Sequence, residues 1–263
     1  MRKNYLVLFV LMLCLNSLSA QSLAYLKEPT FKEGEKLTYK LRYGVISAAT
    51  GVLSVNKSQL QFSNKNVYHL NAFGQTSSAF SIFYTVKNKY DSYIDGNTYQ
   101  PYLYLEDIKE GKYTRKEYAT FDHKAQTVNG AKGSFKSKNP QTFDLLSAYY
   151  FSRNLDLSSL KVDDSFKLTY FLNDEIGEFK VTYVGTEDIK TSLGTLNCIK
   201  LSPEIKPGRI FKKDSKLYLW VTNDGNRIPV KAQVEILIGS ITMELVKAEG
   251  LKYELGKKVS YSK

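Results

Sequence analysis

The chain has 263 residues, a formal net charge of +11, and 20 tyrosines, 14 phenylalanines and one tryptophan. With two histidines and two cysteines, neither a zinc site nor a disulfide framework is expected. No linker or low-complexity segment divides the chain, so we expect one elongated antiparallel β domain over residues 21–263, although the length also allows two smaller domains.

Residues 1–20 have the organisation of a secretory signal peptide. Two basic residues open the segment, and the apolar run from Tyr5 to Leu15 is about half as long as a membrane-spanning helix. We expect cleavage near residue 20, after Ala20 or Ser19, and export to the periplasm or the outer membrane. Cleavage leaves a net charge of about +9, which suits anionic partners such as lipid headgroups or acidic glycans but also serves solubility.

Alternating strands follow this leader. Leu37, Tyr39 and Leu41 share one face of the first strand and cationic residues occupy the other, which is typical of a sheet with one packed side. Further runs of this kind are Val52–Val55, Val67–Ala72, Thr85–Ile94, Pro101–Ile108, Lys112–Asp122 and, with a weaker pattern, Val128–Phe135.

The alternation stops near residues 142–154. Phe143, Leu146 and Tyr150 fall at helical spacing there and Pro140 precedes them, so we predict one short helix. We expect its apolar face to plug one end or one side of the sheet.

Strands resume at Phe166–Leu172, Phe179–Tyr183 and Leu193–Leu201. The last of these contains Cys198, the one cysteine that remains after cleavage of the leader. Its position in an alternating strand favours a buried, inert thiol over a nucleophile.

A meander of three antiparallel strands is predicted between Lys216 and Val246. Asp224-Gly225 stands between two alternating runs and predicts a type I′ hairpin turn, in which both central residues have positive φ. The helical crossovers that parallel strands require are missing from the pattern. We therefore predict an all-β, mainly antiparallel fold with a curved sheet that forms a barrel or half-barrel.

Catalytic signatures are missing from the sequence. It contains no phosphate-binding glycine loop and no Gly-x-Ser-x-Gly elbow, and its histidines, His69 and His123, are far apart in the chain. We predict no catalytic residue, no metal site and no cofactor.

Aromatic strand faces are the best candidates for a binding site. They could line a groove for an apolar ligand, a sugar or a peptide, although tyrosine also fills ordinary half-buried strand positions. Trp220, on the strand face opposite Leu219, is the first candidate for ligand contact, followed by Tyr218 and Tyr90. Arg227 would either recognise an anion or pair with Asp224.

Several segments carry a family resemblance: 34–39, 43–46, Tyr90–Asp95, 144–151 and above all Leu219–Val230, with the sequence LWVTNDGNRIPV. Over residues 30–250 the chain resembles the uncharacterised family of exported bacterial proteins known as DUF3108. The resemblance implies a periplasmic or outer-membrane-facing β protein of a Gram-negative bacterium of the Bacteroides kind, with no established activity. The final strands also resemble, more weakly, periplasmic lipoprotein carriers, in which a curved sheet holds acyl chains beneath a helix.

Two functional hypotheses follow. The first is a non-enzymatic envelope protein whose curved sheet holds a lipid or lipid-linked glycan, or docks an envelope protein; an interior filled solid with side chains would exclude the lipid version. The second is an envelope enzyme acting on polysaccharide or peptide, which requires Tyr90, Asp91, His69 or His123 to meet a carboxylate in one pocket. A purely structural envelope protein is a third possibility. Nucleic acid is not expected as a partner of an exported protein, and we expect peripheral membrane contact at most.

Overall fold

The computed structural model describes residues 23, 26, 28–205, 215–236 and 239–259. The predicted signal peptide, residues 1–20, lies outside these residues.

Fifteen strands of the described chain form one sheet. The strands are β1 (Lys36–Tyr43), β2 (Ile46–Lys57), β3 (Val67–Thr76), β4 (Lys87–Asp95), β5 (Pro101–Glu110), β6 (Tyr113–Asp122), β7 (Thr127–Gly130), β8 (Gly133–Lys136), β9 (Thr142–Phe143), β10 (Ser165–Leu172), β11 (Glu175–Thr191), β12 (Gly194–Pro203), β13 (Leu217–Thr222), β14 (Pro229–Glu235) and β15 (Ser240–Glu249). Two helices accompany them, α1 (Ser78–Ser81) and α2 (Leu145–Arg153).

Neighbours in the chain are mostly neighbours in the sheet, whose order is β8-β7-β6-β5-β4-β3-β2-β1-β15-β14-β13-β12-β11-β10-β9. The exception that shapes the fold is the antiparallel pair of β1 and β15, which joins the two halves of the chain. Among the strands of the described residues, only β9 and β10 pair in parallel. The predicted all-β, mainly antiparallel class is thereby confirmed.

Side chains bring the two ends of the sheet together. Phe121 on β6 packs edge-on against Phe171 on β10, with 6.2 Å between ring centroids. Nearby, Arg115 Nη1 donates to Asn173 Oδ1 at 2.8 Å. Since β8 and β9 form no backbone ladder with each other, the described sheet is curved and barrel-like without closing into a barrel.

The helix α2 confirms the predicted helix and lies against one face of the sheet, which we call the inner face. Asp144 caps it by accepting hydrogen bonds from the backbone N–H groups of Leu146 and Ser147 at 2.8 and 3.0 Å. Asp144 also accepts from Ser92 Oγ of β4 at 2.6 Å, which ties the start of the helix to the sheet. The apolar side of α2, including Tyr150, packs into the largest core cluster with residues of β2, β3, β10 and β12.

The second helix, α1, was not predicted. It has four residues, too few to show helical periodicity, and Ser77 caps it by accepting a hydrogen bond from Phe80 N. It is an addition to the predicted helix near residues 142–154, which is α2.

We call the face of the sheet opposite α2 the outer face. A second core, beside the long β11–β12 hairpin, joins Leu196, Cys198 and Trp220 to Leu37, Tyr39 and Leu245 of β1 and β15. Burial raises the pKa of the Cys198 thiol to about 12, so this thiol stays protonated and unreactive at neutral pH.

The turn between β13 and β14 differs from the prediction. Its positive-φ residue is Arg227, at 50°, and neither Asp224 nor Gly225 has positive φ, so the type I′ assignment is wrong. Instead, Asp224 Oδ1 accepts hydrogen bonds from the backbone N–H groups of Asn226 and Arg227 and organises a longer loop. Gly225 is required by packing, because a Cβ there would lie 2.6 Å from the ring of Tyr253.

Candidate functional site

The inner face is buried at one end and half-exposed at the other. Along β1, Leu37 and Tyr39 are fully buried, whereas Leu41 is only half-buried. β15 repeats this gradient, since Leu245 is buried and Met243 is half-buried. Tyr39 lies beside Tyr149, Tyr150 and Arg153 of α2, so the helix covers the buried end of β1. We call this the closed end of the sheet and the half-exposed end the open end.

Apolar side chains continue across the open end. Strand pairing places Leu219, Ala232, Met243, Leu41 and Ala49 in one row across β13, β14, β15, β1 and β2. The next row toward the open end contains Leu217, Val234 and Ile241. All eight are half-buried, and we call them the apolar floor.

Small residues lie among and beside the members of the apolar floor. Two of its members, Ala49 and Ala232, are alanines, and Gly51 and Gly74 pair beside them in the adjacent row. A Cβ added at Gly51 would meet Leu41 Cδ1 only at 3.8 Å, which is an ordinary contact distance.

An apolar cleft of about 560 Å³ lies on the neighbouring strands. It is lined by Leu145 at the start of α2, by Tyr170 and Leu172 of β10, by Phe179 of β11 and by Ile205. Its volume falls in the range of small-molecule sites, about 300–1,000 Å³. The carboxylates of Glu178 and Glu204 also border the cleft and give it a polar edge.

The closed end is fixed by a buried ion pair. Arg153 of α2 donates two hydrogen bonds to the carboxylate of Glu35, at 2.6 and 2.8 Å, and both side chains are fully buried. Burial lowers the pKa of Arg153, but the nearby Glu35 carboxylate outweighs this and raises it, so the guanidinium stays charged. Arg153 Nη2 also donates to the Asn226 carbonyl at 2.8 Å, which links α2 to the loop between β13 and β14.

Trp220 and Tyr218 lie next to each other on the outer face. Trp220 Nε1 donates to Glu187 Oε1 at 2.5 Å, and the ammonium groups of Lys200 and Lys231 lie 4.9 and 4.8 Å from its ring centroid. Lys200 also lies over the ring of Tyr218, at 4.8 Å. These two aromatic rings thus already have partners within the chain.

The other two predicted site residues lie elsewhere. Tyr90 is half-buried on the inner face beside the ring of Tyr104, and burial raises its pKa. Arg227 is buried at the closed end, where its guanidinium donates to the Leu155 carbonyl. The structure therefore brings Trp220 and Tyr218 together and separates them from Tyr90 and Arg227.

The residues that an enzyme would need are only partly assembled. His69 Nε2 lies 2.8 Å from Asp91 Oδ1, with the His69 ring stacked on Tyr93. Burial raises the pKa of Asp91, but hydrogen bonds from His69 and other neighbours outweigh it and lower that pKa to about 2. Tyr90 points to the opposite face, because successive strand residues alternate, and His123 instead contacts the Pro101 carbonyl. Among the described residues, no three His, Cys, Asp or Glu side chains are grouped to hold a metal ion.

The apolar floor was not predicted from the sequence. Leu41 was recognised as an apolar strand position, but Ala49 precedes the predicted run Val52–Val55, because β2 begins earlier, at Ile46. The available signal was the small side chains at Ala49, Gly51 and Ala232, inside otherwise bulky alternating strands.

Comparisons with known proteins give a family and a fold. The sequence model of the DUF3108 family, described as a protein of unknown function, matches residues 38–246. Among solved structures, the chain is similar to a beta-barrel-like protein of domain of unknown function DUF1849 from Brucella abortus, with a TM-score of 0.55 and 12% identity over 88% of this chain and 100% of that chain. This similarity concerns the fold alone.

Two further structures have lower scores. One, from Bacteroides fragilis, is described as a "putative exported protein" with a YmcC-like fold, with a TM-score of 0.42 and 12% identity over 86% of this chain and 100% of that chain. The other, from Parabacteroides distasonis, is described as a "putative lipoprotein", with a TM-score of 0.38 and 11% identity over 86% of this chain and 99% of that chain. No curated protein matches the sequence. No helix among the described residues has the length and apolar character needed to cross a membrane.

Proposed function

The chain belongs to the DUF3108 family, and from that premise we propose that it is a non-enzymatic envelope protein that holds an apolar or amphipathic ligand on its inner face. The ligand class is a lipid or a lipid-linked glycan. The observation that carries this proposal is the apolar floor, eight half-buried apolar side chains in two adjacent rows at the open end of a sheet whose other end is filled by α2.

The hydrophobic effect supplies the binding energy. Each methylene group that leaves water contributes about 0.8 kcal/mol, so about ten methylenes resting on the floor and cleft contribute about 8 kcal/mol. The entropy lost when the ligand is immobilised offsets part of this gain. The net binding free energy is therefore moderate, so the protein can both take up and release the ligand.

One observation favours a binding protein over an envelope enzyme. The His69 and Asp91 pair lies on the outer face, because the neighbouring Tyr90 points inward and strand side chains alternate.

The experiment is a titration of the mature protein with the fluorescent fatty acid cis-parinaric acid. We expect saturable binding by the wild type and at least a tenfold loss of affinity in Ala232→Phe, whose ring would occupy the floor. Gln233→Phe adds the same ring to the opposite face of β14 and is expected to bind like the wild type. Unsaturable binding by the wild type, or equal affinities of all three proteins, would refute the proposal.

A further inference from the structure

The open end of the sheet is surrounded by exposed apolar side chains. Val45 in the β1–β2 turn is 93% exposed, and Ile82 and Phe83 after α1 are 82% and 83% exposed. The adjacent Ile46 and Tyr84 are also among the exposed large apolar residues. We call the turn at residues 44–46 and the segment 82–84 the rim loops.

Backbone hydrogen bonds hold the two rim loops at the same end. Ser77, at the start of α1, donates from its N–H to the Ala48 carbonyl of β2 at 2.9 Å. Gly44 N donates to the Ser240 carbonyl at 3.2 Å, which places the β1–β2 turn beside the start of β15. Both loops therefore adjoin the strands that carry the apolar floor.

Aromatic and cationic groups accompany the rim loops. The ring of Tyr84 lies against the β5–β6 turn, where Gly111 N donates to the Thr85 carbonyl at 2.7 Å. This turn carries Lys112 and Tyr113, both exposed, and Lys109 is exposed just before it. The one carboxylate of the turn, on Glu110, accepts a hydrogen bond from Asn88 at 2.7 Å.

We propose that the rim loops are a docking surface for an anionic phospholipid bilayer. Val45, Ile82 and Phe83 would enter the acyl boundary, the tyrosines would lie at headgroup level, and the lysines would face lipid phosphates. The inference rests on the proposed function, because docking by these loops brings the open end of the apolar floor to the membrane from which a lipid is taken or to which it is given.

The arrangement fits a bilayer better than a protein partner. Exposed apolar side chains on the two rim loops, with exposed lysines and a tyrosine on the adjoining β5–β6 turn, match the mixture of apolar, aromatic and cationic groups at the surface of an anionic membrane.

The test is flotation of the mature protein with vesicles of phosphatidylcholine alone or with one-third phosphatidylglycerol. We expect the wild type to float with the anionic vesicles and to bind less as salt is added. The double variant I82N/F83S is expected to lose at least about tenfold in vesicle affinity, because it removes two apolar side chains from the contact. Val162→Ser, which alters another exposed apolar residue between α2 and β10, is the matched control and should float like the wild type.

The docking proposal is overturned if I82N/F83S floats as well as the wild type, whether or not light scattering shows that its substitutions dissociate a dimer. Ala232→Phe separates this proposal from the proposed function, because it changes the floor and not the rim loops. If Ala232→Phe floats normally and still binds cis-parinaric acid like the wild type, docking stands and the ligand site fails.

Discussion

Substitution of Arg153 by alanine tests the closed end of the sheet. The change removes two hydrogen bonds to Glu35 and the contacts to the Asn226 carbonyl, and it leaves a fully buried carboxylate without its cation. Breaking a buried ion pair from one side costs about 3–5 kcal/mol. This is a large part of the free energy of unfolding of a typical domain, about 5–15 kcal/mol.

The assay is urea-induced unfolding followed by circular dichroism, with Arg42→Ala as the matched control. Arg42 pairs with Glu244 at 3.3 Å, but both side chains are nearly half-exposed, so its loss is expected to cost less than about 1 kcal/mol. The double variant Glu35→Gln with Arg153→Met should regain part of the stability, because no unpaired charge stays buried. If Arg153→Ala costs no more than Arg42→Ala, the ion pair does not hold α2 in place.

Three further predictions concern single residues. Because the pKa of Asp91 is lowered to about 2 in the folded protein, its ionised carboxylate stabilises the fold above pH 4. Asp91→Asn should therefore lower the free energy of unfolding by about 1–2 kcal/mol at pH 6. Unfolding titrations should show that the difference between the two proteins disappears as the pH falls from 4 toward 2. Gly225→Ala should lower the melting temperature by several degrees, because the new Cβ would collide with the ring of Tyr253. Gly74→Ala is the control, because a Cβ there has space. Equal changes of melting temperature in the two variants would contradict this reasoning. Cys198 should react with a thiol reagent only in denaturant, because it is buried and burial raises its thiol pKa to about 12, and fast labelling of the native protein would disprove the buried placement.

Local patterns predicted most elements of the fold. Strand alternation identified β1 and β3 to β6, and helical spacing identified α2, because these segments each bury one face. α1 escaped because four residues give no period. The turn at Asp224 was misassigned because the Asp-Gly pair favours a type I′ turn, whereas the side chain of Asp224 accepts hydrogen bonds within its own loop. Tyr253, 28 residues further along the chain, also packs over Gly225. The resemblance to DUF3108 is confirmed by the family match.

The candidate site depends on contacts that lie far apart in the sequence. The apolar floor exists because β1 pairs with β15, which brings Leu41 beside Met243. Strand alternation alone could not distinguish the half-exposed floor residue Leu41 from the buried Tyr39, because both lie on the same face of β1. They differ because α2 covers Tyr39 and does not cover Leu41. The aromatic content of the strands made Trp220 the first candidate for ligand contact, and that role stays a prediction. In the structure, the ammonium groups of two lysines cover its ring on the outer face.

The most direct measurement is native mass spectrometry of the protein purified from the envelope of its own host. The account predicts that the wild type and Gln233→Phe carry an added mass that corresponds to a lipid or lipid-linked glycan, and that Ala232→Phe lacks this mass. A wild-type protein without any bound species, or an added mass that persists unchanged in Ala232→Phe, would contradict it.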